Sequence, residues 1–177
     1  SLMDIKSFLR GHIAINEPLA KYTSMRVGGP VDYYIEPADK DDLRSVVRFF
    51  QQHDFSFMMI GRGSNLLVSD EGFRGAAVNI EQGLSRVYRD GDLVVAEAGA
   101  RLSRLVEFCI QNGLAGMEWA AGIPGTVGGG IMMNAGAHGG QMADLLIDVE
   151  LLRNGEILTV PKDQAGFSYR RSGFDRD

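Results

Sequence analysis

Glycine is concentrated in a few short segments of this chain instead of being spread along it. The 177 residues include 23 glycines, nearly twice the roughly 7% of an average protein. Clusters of this kind between strands and helices indicate backbone that lies close to a neighbouring group, where a side chain would not fit. The clusters lie at residues 28–29, 61–63, 72–75, 122–130 and 136–140.

Composition and charge are those of an acidic globular protein. Hydrophobic residues make up 45% of the chain and charged residues 23%, close to average values, and the length suits one domain or two small lobes. The net charge of -5 argues against a nucleic-acid partner, because phosphate neutralisation needs a basic surface. The chain has no apolar run of the roughly 20 residues that span a bilayer and no signal-peptide pattern at its start, so no membrane association is expected.

The few cysteines and histidines limit the chemistry further. Cys109 is the only cysteine, which excludes an internal disulfide and favours a reducing, cytoplasmic location. With three scattered histidines, the sequence offers no set of transition-metal ligands.

The first part of the chain predicts a β-α-β unit over residues 31–60. A short helix is predicted over 3–12, and "VDYYIEP" predicts a strand that ends at Pro37. Apolar residues of the following segment recur at helical spacing, with Asp39 as the expected N-cap. The strand "FMMI" follows at residues 57–60.

The remaining chain predicts shorter strands with one long helix among them. Strands are expected over 76–80, 85–90, 92–100, 145–153 and 156–160, and a helix over 101–113 that ends at Gly113. Asp90-Gly91 and Asn154-Gly155 are hairpin signals. The pattern predicts an α+β fold with two lobes, residues 1–72 and residues 73–177.

The loop "GRGSNLLVSD", Gly61 to Asp70, directly follows the apolar strand "FMMI". The chain has no Gly-Lys-Ser/Thr, which excludes a P-loop. Leu66 stands where a dinucleotide fingerprint needs its third glycine, and a strand-like segment follows where a helix is needed. Two interpretations remain: a nest of backbone N–H groups around Gly63, Ser64 and Asn65 that binds an anion, or an ordinary structural turn.

The segment "AGIPGTVGGGIMMNAGAHGG" is the second candidate. Pro124 can occupy the first position of a short helix, and Thr126 offers a hydroxyl. The three glycines 128–130 leave bare backbone that a flat ring or a pyrophosphate could approach. Tight packing of a helix on a sheet is the alternative. A third segment places Arg26 before the double glycine of "YTSMRVGGP".

These segments together resemble one enzyme family. "TSMRVGG", "GRGSNLLV", "GIPGTVGGGIMMNAGA" and "FSYRRSGF", from Thr23 to Phe174, are similar to the N-terminal part of the UDP-N-acetylenolpyruvoylglucosamine reductase family. The resemblance implies a two-lobed FAD-binding domain of the vanillyl-alcohol-oxidase/PCMH type. It implies that the loop from Gly61 to Asn65 holds the FAD pyrophosphate and that the second segment lines the flavin. The implied FAD-binding residues are Arg26, Gly61, Arg62, Gly63, Ser64, Asn65, Leu66, Gly122, Pro124, Gly125, Thr126, Gly128, Gly129, Gly130, Asn134, Gly136 and Ala137.

The resemblance also implies a reaction. Family members use NADPH and FAD to reduce the enolpyruvyl group of a nucleotide sugar, which completes UDP-N-acetylmuramate for peptidoglycan synthesis. Arg170 matches the catalytic arginine, which would stabilise negative charge beside a carboxylate. Tyr169 and His138 lie on the expected substrate side, although a solvent-facing loop histidine is an alternative for His138. Arg171 is interpreted as a solvent-facing charge, and we expect a monomer.

The family's proton-donor serine and assisting glutamate belong to later segments that do not match here. We therefore expect this chain to be the FAD-binding part without the substrate-binding domain, and to be inactive alone. Ser168 and Ser172 are not assigned as proton donors. Two alternatives are an FAD-dependent sugar-alcohol oxidase of the same fold, which covalently attached flavin would favour, and a flavin-carrying electron-transfer subunit, which would lack the "YRRS" feature.

Overall fold

The computed structural model describes residues 1–22, 28–61 and 72–174, and the chain divides into two compact units, Ser1–Leu84 and Ser85–Asp177. In the first unit a four-stranded sheet has the order β1-β2-β4-β3. Strand β4 lies parallel to both β2 and β3, and β1 is antiparallel to β2. The elements are α1 (Leu2–Phe8), β1 (His12–Pro18), β2 (Pro30–Glu36), α2 (Lys40–Gln52), β3 (Phe57–Ile60) and β4 (Phe73–Asn79).

Helix α2 begins and packs as the sequence predicts. The Asp39 carboxylate accepts a hydrogen bond from the Asp42 backbone N–H at 2.9 Å, which satisfies a donor that has no partner within the helix. The Arg10 guanidinium, which donates to the same carboxylate, holds the pKa of Asp39 below its usual value. Buried apolar residues recur every three to four positions, so one face of the helix joins the core. They are Leu43, Val46, Val47 and Phe50.

Asp42 is a charged residue that is only 2% exposed. Its carboxylate accepts hydrogen bonds from the backbone N–H groups of Arg10 at 3.1 Å, Gly11 at 2.9 Å and Ala38 at 2.8 Å. A buried charge is tolerated when hydrogen bonds replace its hydration. These bonds connect α2 to the residues that precede β1 and to those that follow β2.

We expect Asp42→Asn to lower the free energy of unfolding by about 2 kcal/mol, because an amide has one acceptor oxygen for these backbone donors and turns an NH₂ group toward them. Urea denaturation followed by circular dichroism measures the change. Asp41→Asn is the matched control, since residue 41 is exposed on the same turn, and it should change stability by less than about 0.5 kcal/mol. Equal effects of the two substitutions would contradict this role for Asp42.

Two predictions for the first unit differ from the structure. The helix predicted over 3–12 ends at Phe8, and His12 already begins β1, a strand that the sequence did not predict. β1 is an edge strand without alternating burial, so it lacks the period-2 signal. The units divide after Leu84, whereas the sequence placed the division after residue 72. β4 hydrogen-bonds to strands on both sides within the first sheet, so a division at 72 would cut that sheet.

The second unit is built around helix α3. The helix buries Leu102, Leu105, Val106 and Cys109 in one cluster with residues such as Val127, and burial raises the pKa of the Cys109 thiol. The elements are β5 (Val87–Asp90), β6 (Leu93–Ala96), α3 (Leu102–Gln111), α4 (Val127–Met132), β7 (Gly136–Ala137), β8 (Gly140–Gln141), α5 (Met142–Leu145), β9 (Asp148–Arg153) and β10 (Glu156–Pro161).

Both predicted hairpins are present in the second unit. β5 pairs with β6 across Gly91-Asp92, one residue later than the predicted Asp90-Gly91 turn, and β9 pairs with β10 across Asn154-Gly155. Asn154 and Gly155 have φ values of 52° and 73°, the left-handed pair that a tight two-residue hairpin turn requires. Strand β9 begins at Asp148 and not at 145, because residues 142–145 form the short helix α5. Within the described residues, no helix has the length and apolarity to cross a bilayer.

Candidate functional site

The second glycine segment forms a loop followed by the short helix α4. The Thr126 hydroxyl accepts a hydrogen bond from the Gly129 N–H at 3.2 Å and caps the helix. Pro124 was predicted at the first helical position, and this is wrong: α4 begins at Val127. Gly125, with φ of 111°, is far from helical geometry, so it separates Pro124 from the helix.

Three glycines of this segment are explained by packing inside the unit. A Cβ at Gly128 would lie 3.0 Å from the Ala98 Cβ, and one at Gly130 would lie 3.3 Å from a Leu102 methyl. A Cβ at Gly136 would lie 2.7 Å from the Gly140 carbonyl oxygen. A side chain at these positions would displace a neighbour, so tight packing, the alternative interpretation of the segment, applies to them.

Gly129 lies between two of these packed glycines but has a different environment. It is exposed, and a Cβ there would meet only the Thr126 hydroxyl oxygen at 3.4 Å, an ordinary contact. Its φ is not in the left-handed region. Glycine within a helix lowers stability by about 0.5–1 kcal/mol relative to alanine. Within the described part of the chain, neither packing nor backbone geometry requires glycine at 129.

Gly122 and Gly125 add open backbone on the N-terminal side of α4. Their φ values are 85° and 111°, so each needs glycine for its conformation. A Cβ at either position would have nothing within 4 Å. Gly122, Gly125 and Gly129 thus present bare backbone that no described neighbour covers.

Asn134 follows α4 and is buried, with 1% of its surface exposed. Its Nδ2 donates to the Gln141 Oε1 at 2.9 Å and to the Ser168 carbonyl oxygen at 2.8 Å. Its Oδ1 accepts from the Ala143 N–H at 3.0 Å. The side chain is therefore committed to internal hydrogen bonds, and only the backbone of Asn134 is left for the predicted cofactor contact. The neighbouring Gly136 and Ala137 form β7 and pair with β8.

The segment "FSYRRSGF" folds into a small hairpin whose tip is Tyr169-Arg170. Ser168 and Arg171 are joined by two backbone hydrogen bonds of 3.1 Å. Tyr169 is 84% exposed, and the Arg170 guanidinium lies over its ring at 5.6 Å, a cation–π contact. Arg170 has a φ of 55°, an uncommon conformation for a residue with a side chain. The exposed tip therefore presents a cation and an aromatic ring together.

The structure places one predicted substrate residue, Tyr169, beside one predicted cofactor residue, Asn134, in the lining of a cavity. A cavity of about 590 Å³ is lined by residues that include Asn134, Ser168 and Tyr169, and neither His138 nor Arg170 is among its lining residues. His138 lies at the exposed tip of the β7–β8 hairpin, with a φ of 51°. This position fits the alternative interpretation, a histidine that faces solvent.

Arg26, Arg62, Gly63, Ser64, Asn65 and Leu66 lie outside the described residues. Gly61 directly follows β3, and a Cβ there would lie 3.2 Å from the Glu81 Oε1. The anion nest in this loop therefore stays a prediction. Within residues 1–22, 28–61 and 72–174, no group of three or more histidine, cysteine, aspartate or glutamate side chains could hold a metal ion.

Trp119 and Ser172 both have structural roles. The Trp119 indole packs on Gly140, where a Cβ would lie 2.4 Å from the indole Cδ1, as its place just before the second glycine segment suggests. Ser172 is buried, and its hydroxyl donates to the Met132 carbonyl oxygen at 2.6 Å. The Ser172 contact joins residues that are 40 positions apart, so no local pattern signals it.

Comparison with known proteins gives the class. A family model described as an FAD binding domain matches residues 31–161, about three quarters of the chain. The chain belongs to this family of FAD-binding domains. Its α+β fold is of the vanillyl-alcohol-oxidase/PCMH type, and alkyldihydroxyacetonephosphate synthase, a solved structure with 17% identity, superimposes with a TM-score of 0.71 over 96% of this chain and 36% of its own.

The more similar relatives are reductases. UDP-N-acetylenolpyruvoylglucosamine reductase from Desulforamulus reducens is 42% identical over 96% of this chain and 56% of its own length. The crystal structure of the corresponding reductase from Thermus caldophilus matches with 33% identity and a TM-score of 0.72, over 93% of this chain and 57% of its own. The resemblance stated from the motifs is confirmed. The chain spans little more than half the length of the relatives that it matches.

Proposed function

We propose that this chain is the FAD-binding part of a UDP-N-acetylenolpyruvoylglucosamine reductase. Such an enzyme would use NADPH to convert UDP-N-acetylglucosamine enolpyruvate to UDP-N-acetylmuramate for peptidoglycan synthesis. Similarity over nearly the whole chain supports the proposal, and the coverage of 56% of a relative supports its being one part of the enzyme. The proposal includes a cytoplasmic, monomeric protein whose two compact units are the two FAD-binding lobes.

The proposal of FAD binding depends on the environment of Gly129. An exposed helical glycine that its own fold does not need is expected where a ligand lies against the backbone and leaves no room for a Cβ. Gly122 and Gly125, with their open backbone, extend the same surface toward the N-terminal side of the helix. The residues present therefore fit a flat cofactor held by main-chain contacts. The loop from Gly61 to Asn65 is proposed to bind its pyrophosphate.

When bound, FAD would supply a two-electron carrier between NADPH and the enolpyruvyl double bond. The chain's own contribution is the exposed cation at position 170. The Arg170 guanidinium is a planar cation that can donate two parallel hydrogen bonds to a carboxylate. It would stabilise negative charge that develops beside the substrate carboxylate. Tyr169 beside it, and His138 on the β7–β8 hairpin, are the proposed substrate contacts.

Gly129→Ala tests the FAD surface. The substitution is expected to raise the free energy of unfolding by about 0.5–1 kcal/mol, because alanine is the better helix former. It is also expected to weaken FAD binding at least about 10-fold, since a methyl group that displaces a tightly packed ligand by a fraction of an ångström costs of order 1–3 kcal/mol. Titration of the purified chain with FAD, followed by flavin absorbance and fluorescence, measures the affinity.

Ser103→Ala is the matched control, because Ser103 is an exposed helical position in the same unit and is not a predicted FAD contact. Its affinity for FAD should equal that of the wild type. A Gly129→Ala chain that is stabilised and still binds FAD like the wild type would refute the proposed surface. A wild-type chain that takes up no FAD, also when part of the longer reductase, would refute the proposed function.

The relatives at about 40% identity carry the name of the reductase, so neither the sugar-alcohol oxidase nor the electron-transfer subunit is favoured. Flavin that remained attached to the chain after denaturation would instead favour the oxidase.

A further inference from the structure

We infer that Asn134 and Ser172 are positioning residues, whose side-chain hydrogen bonds hold the Tyr169-Arg170 tip in a fixed position relative to α4. The functional meaning of this inference rests on the proposed function, which gives Arg170 its role. The hydrogen bonds themselves can be tested without any cofactor or substrate.

The hairpin is closed by its own contacts before it meets the rest of the unit. The two backbone bonds between Ser168 and Arg171 are continued by a hydrogen bond of 2.7 Å from the Gly173 N–H to the Ala165 carbonyl oxygen. On its two sides, the rings of Phe167 and Phe174 pack edge to face with centroids 6.3 Å apart. The segment from Ala165 to Phe174 is therefore a small closed hairpin. Hydrogen bonds from residues outside it can fix the position of the whole hairpin.

One side-chain hydrogen bond holds each strand of this hairpin. The Asn134 Nδ2 donates to the Ser168 carbonyl oxygen at 2.8 Å, and the Ser172 hydroxyl donates to the Met132 carbonyl oxygen at 2.6 Å. Met132 and Asn134 are both at the C-terminal end of α4. The two bonds thus attach both strands of the hairpin to the helix that contains Gly129.

Asparagine suits position 134 in both backbone and side chain. Its φ of 43° is in the left-handed region, which asparagine adopts more readily than most other residues. Its Oδ1 and its Nδ2 are both bonded to internal partners, so a ligand would have to break an existing bond to reach the amide. Ser172, which is 4% exposed, is similarly inaccessible.

The residues of the tip are not buried as Asn134 and Ser172 are. Tyr169 and Arg170 are exposed, and a long side chain on an exposed turn samples many positions unless its backbone is fixed. A displacement of about 1 Å of a substrate-orienting group can lower the rate of an enzyme about 100-fold. Fixing the backbone at Ser168 and Ser172 restricts where the Arg170 guanidinium can be. This is the role that we assign to the two bonds.

Trypsin provides a local test, because Arg170 in the tip and Arg171 directly after it are cleavage sites. Ser172→Ala removes the hydrogen bond to Met132, together with the longer one that the Ser172 hydroxyl accepts from the Phe174 N–H at 3.3 Å within the hairpin. Asn134→Asp keeps the acceptor Oδ1 and the shape of the side chain but removes the Nδ2 donor, and with it the bonds to both Ser168 and Gln141. Loss of one such bond is expected to raise the population of the opened hairpin, and so the rate of cleavage after Arg170 and Arg171, about 10-fold. Mass spectrometry of timed digests gives the rate at each site.

Ser168→Ala is the matched control, because only the backbone of Ser168 takes part in the contacts described above. Cleavage after Arg89, on the exposed strand β5, is the internal reference. Faster cleavage at 170 and 171 alone would support the inference. Unchanged cleavage in both variants, or an equal increase at Arg89, would overturn it, since the second result would mean a general loss of stability.

A second readout concerns catalysis. In the reductase, Ser172→Ala is expected to lower kcat about 10-fold while the dissociation constant for FAD stays at the wild-type value, because Ser172 holds the tip and is not a predicted FAD contact. An unchanged kcat would overturn the positioning role. Failure of the longer reductase to bind FAD would refute the proposed function, but it would leave the proteolysis result fully interpretable.

Discussion

Phe50→Ala is expected to lower the free energy of unfolding by about 3–5 kcal/mol, the usual cost of removing a fully buried phenylalanine ring. Phe50 is 1% exposed and lies at the centre of an aromatic cluster. Its ring centroid is 5.4 Å from that of Phe55 and 5.3 Å from that of Phe57. Alanine would leave a cavity that these two rings fill only in part.

Urea denaturation monitored by far-ultraviolet circular dichroism measures this effect over the whole chain. Trp119 is the single tryptophan and lies in the second unit, so its fluorescence follows that unit separately. Met59→Ala is the control, because Met59 is 48% exposed on β3 and should cost much less. A loss below about 1 kcal/mol for Phe50→Ala would mean that the aromatic cluster is not the core of the first unit.

Arg170→Lys is expected to lower kcat of the reductase about 100-fold, with no change in the dissociation constant for FAD. Lysine keeps the positive charge but offers a compact ammonium group in place of a planar fork with two parallel donors. Loss of a donor that stabilises transition-state charge typically costs 100- to 1,000-fold, or about 2.7–4 kcal/mol. Steady-state assays of NADPH oxidation with the enolpyruvyl substrate provide the measurement.

Arg171→Lys is the matched control for this substitution. Arg171 is the adjacent exposed arginine, and its contacts to Ser168 are made by the backbone, which lysine preserves. Its kcat should stay within about twofold of the wild type, as for a surface substitution. If both substitutions had equally small effects, the assignment of Arg170 as the catalytic arginine would fail, and the left-handed φ at this position would need another explanation.

Local signals explain which parts of the fold the sequence predicted. Helix α2 with its Asp39 cap, and the hairpin at Asn154-Gly155, are specified by residues within a few positions of one another. β1 was missed because its place in the sheet depends on pairing with β2, which a run without alternating burial does not reveal. The start of α4 was misplaced because Thr126 caps a helix that begins at Val127, so Pro124, predicted at the first helical position, lies outside it.

In the candidate site, too, the sequence did not reveal contacts between residues that are far apart in the chain. Its glycine segment was evident from composition, but the sequence could not separate Gly129 from its two neighbours. That distinction depends on Ala98 and Leu102, residues of other segments whose distance to a missing Cβ only the fold defines. Asn134 likewise hydrogen-bonds to Ser168, 34 residues away, so its side chain has a structural role that the sequence did not reveal, while the cofactor contact of its backbone stays a prediction.

The attachment of the arginine hairpin to α4 has a consequence for motion. Both belong to the second compact unit, and Asn134 and Ser172 join them by direct bonds. Enzymes often close by hinge movements in which each packed body travels as a whole. During any such movement, Arg170 and the backbone at Gly129 would travel together and keep their mutual alignment. The spacing between the proposed charge stabiliser and the proposed cofactor surface would then stay the same at every stage of closure.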